Sequence, residues 1–106
     1  MREISAERVT EAVEKLCIDS NYYLSGDLMK ALKCAYESEE SEIGKNVMKQ
    51  IVENAEIARA QSLPVWQDTG MAVVFIDIGQ DVYIKGGGLT EAINEGVRRG
   101  YRKGFL

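Results

Sequence analysis

Asp68, Thr69 and Gly70 follow Trp66 and Gln67 in the stretch PVWQDTG, residues 64–70. A carboxylate on a loop just before a buried strand can take or give a proton. The same residues also make an ordinary turn, in which Asp68 closes an Asx turn and Gly70 lets the backbone bend. Functional groups concentrate on loops held by a scaffold, so the flanking elements bear on the choice.

The first 62 residues read as three helices. Ser5 is a candidate N-cap, with Ile4 and Val9 as a hydrophobic staple around it. Val9, Ala12, Val13, Leu16 and Cys17 then share one helical face. A second helix is expected from near Ser25, with Leu28, Leu32, Ala35 and Tyr36 on one side. A third is expected from near Ser41 to about Gln61, with the stripe Ile43, Val47, Ile51, Ala55 and Ala58. It must end by Leu63, because Pro64 disfavours helix in the residue before it.

The period then changes. Residues 71–78, MAVVFIDI, are rich in β-branched residues and read as a strand buried on most of both faces. Gly79-Gln80-Asp81 is a turn, and Val82-Tyr83-Ile84 a second short strand. Gly86, Gly87 and Gly88 precede a last helix from about Leu89 to Arg102, with Leu89, Ile93, Val97 and Tyr101 spaced by four. The fold class is α+β: mainly helical, with three N-terminal helices, a short two-stranded element and a C-terminal helix. A chain of 106 residues is read as a single domain.

Composition narrows the function. Hydrophobic residues make up 45% and charged residues 28%, a globular balance. A net charge of −4 argues against nucleic acid. No apolar run approaches a membrane span and no signal peptide opens the chain, so it reads as cytoplasmic. Its two cysteines, Cys17 and Cys34, read as reduced, small buried hydrophobes in helices. Histidine is absent, which removes imidazole chemistry. The element order also argues against a homodimeric aspartic protease, whose D-T-G triplet belongs to a nearly all-β chain. Here the triplet follows a helix and a proline.

The stretch from Leu63 to Leu106, with QDTG, GQDV, the glycine run and EAINEGVRRGY, resembles the class I fumarase and L-tartrate dehydratase family in its α subunit or N-terminal region. The helical part, LCIDSNYYLSGDLMKALKCAYESEES and IGKNVMKQIVENAEIARAQ, resembles it too. The resemblance implies an iron-sulfur hydro-lyase that adds or removes water on a small dicarboxylate, fumarate/malate or tartrate. It implies a [4Fe-4S] cluster on three cysteines, with one iron free to act as a Lewis acid. It assigns Gln67 to a substrate carboxylate, Asp68 to acid-base work and Thr69 to orienting Asp68.

The family's cluster cysteine is Trp66 here, and an indole N–H is a donor only, so no cluster is expected on this chain. Family members continue for more than another hundred residues, which hold the other two cluster cysteines. The chain therefore reads as an N-terminal fragment, inactive alone, whose partner is a β subunit or the C-terminal half of the same enzyme. Self-association is also expected, through the apolar segment 71–78. The competing reading is a non-catalytic helical assembly module.

Two features keep two readings each. The backbone of Gly87 and Gly88 at a helix start can receive a substrate carboxylate, or the glycines can simply serve the turn. Arg98, Arg99, Arg102 and Lys103 favour a helix C-terminus, or they meet a partner or steer substrate.

Overall fold

The computed structural model describes residues 1–65 and 70–106. It is mainly helical, with one small parallel sheet: β1 (Arg2–Ser5), α1 (Ala6–Tyr22), α2 (Gly26–Ser38), α3 (Glu42–Gln61), β2 (Val82–Lys85) and α4 (Leu89–Lys103). The α+β class expected from the sequence holds. The chain divides into two compact units. One comprises Met1–Asp19 with Asp68–Leu106, and the other Ser20–Gln67.

In the first unit, β1 and β2 run parallel in the register Arg2↔Val82, Glu3↔Tyr83, Ile4↔Ile84 and Ser5↔Lys85. The two-stranded element thus pairs Val82–Lys85 with the N-terminus, not with residues 71–78. Those residues lie outside any helix or strand and are exposed. Their β-branched density is a preference for a pleated, half-buried surface, and no neighbouring strand among the described residues supplies one. Ser5 does cap α1, its Oγ accepting the Arg8 N–H at 3.2 Å.

The core of this unit is the contact of α1 with α4. The buried stripe of α4 is Ala92, Gly96 and Gly100, beside the expected stripe of Leu89, Ile93, Val97 and Tyr101 rather than on it. The buried face of α1 is Ala6, Thr10, Val13 and Cys17, whereas Ala12 and Leu16 are exposed. The glycines explain both rotations. A Cβ built on Gly96 would lie 2.6 Å from the Val13 Cβ, and one on Gly100 would lie 2.8 Å from the Cys17 Cβ. Only small residues allow this approach, so they, and not the larger apolar side chains, face the partner helix. Thr10 is buried in the same seam and donates its hydroxyl to the Ala92 carbonyl at 2.8 Å. That bond satisfies a polar group which would otherwise be costly to bury.

In the second unit α2 packs on α3. Ser25 and Ser41 are their N-caps, accepting the N–H groups of Leu28 and Gly44. α3 ends at Gln61, with Ser62 in the left-handed region at φ 52. The core is Leu24, Ala55, Ala58 and Val65, with Met29 and Leu32 against it. Only the C-terminal half of the expected α3 stripe is buried; Ile43, Val47 and Ile51 are exposed. Leu28 is exposed as well, and no residue of α2 is fully buried. Cys34 is exposed on α2, against the expectation of a buried thiol, whereas Cys17 is buried. Among the described residues no helix is long and apolar enough to cross a membrane.

Candidate functional site

Trp66, Gln67, Asp68 and Thr69 lie outside the described residues. The residue before them is firmly held. Val65 is buried, its N–H donates to the Asn21 carbonyl at 2.6 Å, and its carbonyl accepts from Asn54 Nδ2 at 2.9 Å. The chain therefore enters the QDTG segment from a peptide anchored on both sides, to α1 through Asn21 and to α3 through Asn54. Neither asparagine is evident from sequence, because each works across a gap in the chain and not within a motif. Beside them lies a groove of about 380 Å³ lined by Leu24, Val47, Gln50, Ile51, Asn54 and Val65.

The glycine run is described. Gly86 has φ 92, a conformation that a side chain would strain. A Cβ on Gly87 would meet Ala6 at an ordinary 3.5 Å. Gly88 is the N-cap of α4 and has no side chain to cap it. Glu91, the third residue of that helix, folds its carboxylate back against Gly88; as the end of a flexible side chain it can move aside. A carboxylate at a helix N-terminus is favoured by the unpaired N–H groups and the helix dipole. A substrate carboxylate received by Gly88 would have to displace Glu91.

The basic residues at the other end of α4 are mostly engaged within the unit. Glu95 accepts from Arg98 Nε at 2.8 Å and from Arg99 Nε at 3.0 Å. Arg99 also donates to Glu7 on α1 at 2.6 Å, and Lys103 pairs with Glu14 at 3.6 Å. The hydrogen bonds from Arg98 and Arg99 pull the Glu95 carboxyl down to about 2; Glu95 raises the Arg98 guanidinium, and Glu7, followed by Glu95, raises that of Arg99. For Arg98, Arg99 and Lys103 these contacts go beyond the dipole reading: the cations tie α4 to α1 and to itself.

A three-thiolate cluster site does not fit this chain. It has two cysteines, one buried on α1 and one exposed on α2. Burial pushes the Cys17 thiol up, away from the thiolate that binds metal. Among the described residues no three His, Cys, Asp or Glu side chains converge to hold a metal.

Residues 10–106 match the Fumerase family, described as fumarate hydratase. The chain is 38% identical over 96 residues to a Methanocaldococcus jannaschii protein with the provisional name L(+)-tartrate dehydratase subunit alpha; the match covers 87% of this chain and 33% of that relative. It is 32% identical over 100 residues to the anaerobic class I fumarate hydratase of Escherichia coli K12, covering 93% of this chain and 18% of the relative. The chain thus spans a third or less of the length of these curated relatives.

Proposed function

We propose that this chain, which belongs to the Fumerase (fumarate hydratase) family, supplies one part of a hydro-lyase acting on a small dicarboxylate, fumarate/malate or tartrate. The observation that carries the reading is the family match over residues 10–106, which includes Gln67, Asp68, Thr69 and the glycine run. Dehydration requires removal of a proton from carbon and departure of a hydroxyl from its neighbour. Asp68 takes that proton in one direction and returns it in the other. Thr69 holds the carboxylate in place, and the Gln67 carboxamide donates to a substrate carboxylate. The backbone N–H groups of Gly87 and Gly88 offer a second carboxylate contact once the Glu91 carboxylate moves aside.

Activation of the leaving hydroxyl comes from outside these 106 residues, since they do not provide the thiolates of an iron-sulfur cluster. The complete enzyme therefore depends on a further part, the C-terminal half of the same enzyme or a β subunit, that brings the cluster ligands, and these 106 residues alone are inactive. The name of the Methanocaldococcus relative, an α subunit, supports a β-subunit partner. The test is turnover of fumarate and tartrate by the chain alone and by the assembled enzyme, prepared without air. Asp68→Asn in the assembled enzyme should lower kcat by about 10²–10⁴-fold with little change in KM. Full activity of that variant would remove Asp68 from the chemistry, and turnover by the chain alone would overturn the need for a partner.

A further inference from the structure

The segment 71–78 has the surface of a strand without the strand's partners. Exposure alternates along it: Val73 is 71% and Phe75 92% exposed, against 40% for Val74 and 49% for Ile76. A period of two is the signature of a pleated strand with one face part-covered and the other open. Between 71 and 78 no peptide group makes a hydrogen bond to another described backbone group. The sheet of the same unit is a parallel pair of four-residue strands. Two such strands are marginal alone, and parallel sheets normally occur covered on both faces. An apolar run with free N–H and C=O groups is completed by strand addition, in which main-chain bonds give affinity and alternate side chains give specificity.

We propose that residues 71–78 are the docking edge for a β-strand from the remaining part of the family's polypeptide, in place of the self-association expected from the sequence alone. The match to the Methanocaldococcus subunit covers 33% of that relative, so most of its length has no counterpart among these 106 residues. That length is the source of the added strand. The occupant is apolar on the side that meets Val73 and Phe75, and its backbone pairs with the free peptide groups. The proposal specifies the partner invoked above and rests on that reading of the family, but not on the catalytic role of Asp68.

Amide exchange read by mass spectrometry tests it. The 71–78 amides are followed in the chain alone at two concentrations, and in a chimera carrying this chain in place of the matched residues of the Methanocaldococcus subunit. Exchange in the chimera should be slower by about a hundredfold or more, and exchange in the chain alone should not depend on concentration. Unslowed exchange in a chimera whose α3 amides are protected would overturn the proposal. So would slowing that grows with the concentration of the chain alone, since the occupant would then be a second copy. If the chimera does not fold, the two polypeptides are co-expressed. Retention should survive Ile43→Lys and be lost in Phe75→Lys, and equal retention in both, or none by the unmodified chain, sinks the idea. Turnover is measured separately. Slow exchange without turnover counts against the catalytic reading alone, and turnover with unprotected 71–78 amides counts against the docking edge alone.

Discussion

Gly96 of α4 approaches Val13 of α1 so closely that a Cβ on the glycine would lie 2.6 Å from the valine Cβ and 2.7 Å from the Thr10 carbonyl oxygen. Neither neighbour is the end of a flexible side chain, so the helices would have to separate. Overpacking of this kind costs about 1–3 kcal/mol, against a helix-propensity gain of up to about 1 kcal/mol for alanine over glycine. Gly96→Ala should therefore lose roughly 1–2 kcal/mol in a urea titration. Gly26→Ala is the control, because a Cβ there meets nothing within 4 Å; it should be neutral or slightly stabilising.

Asn54→Ala removes the donor to the Val65 carbonyl, and with it one of the two bonds that hold the peptide before Trp66. The bond is partly buried, so the cost should be about 1 kcal/mol, toward the lower end for an orphaned acceptor. Exchange of the Val65 amide, which donates to the Asn21 carbonyl, should quicken while α4 stays unchanged. Equal effects on both would make Asn54 a general stability residue and not an anchor of this segment.

Acid should weaken the ion pairs along α4, where Glu95 meets Arg98 and Arg99. The Glu95 carboxyl is held at about 2 in the folded chain, below its ordinary 4.5. A depressed carboxylate stabilises fully above the unfolded value and loses that contribution as pH falls toward the folded one. The stability difference between the wild type and Glu95→Gln should be constant from neutral pH to about 5, then shrink toward pH 2. The group is only part-buried, so the difference is small and should fall further in high salt. A difference that does not change across this window would remove the ion pairs from the account.

The two thiols should differ in rate. Cys34 is exposed, whereas Cys17 is buried and its thiol is pushed up by desolvation. A neutral alkylating reagent at pH 8 should modify Cys34 first, leaving Cys17 unmodified until denaturant is added. Equal rates in the native chain would contradict the packing of Cys17 against Gly100.

Trp66→Cys brings the thiol count to three but should not build a cluster in this chain. Cys17 remains buried in the α1–α4 seam, and reaching a shared metal would break that packing. Iron per chain after anaerobic reconstitution should stay far below cluster stoichiometry. Four irons per chain with a brown colour would refute this account.

The three long helices, the Ser5 cap, the starts near Ser25 and Ser41 and the stop before Pro64 were legible in the sequence, because capping and periodicity are local. So was the resemblance that singles out Gln67, Asp68 and Thr69, residues that lie outside the described structure. What local pattern could not decide was which strands pair and which helix faces meet. Arg2–Ser5 carries one apolar residue and too few positions for a period, yet it pairs with Val82–Lys85 from the far end of the chain. Residues 71–78 have the composition of a strand but no partner strand among the described residues, since a strand exists only through what lies beside it. The helix faces were set by close approach. Hydrophobicity favours Leu16 and Val97, but a seam in which Gly96 and Gly100 touch Val13 and Cys17 brings the backbones nearer than those side chains allow, and that distance is a property of two helices together.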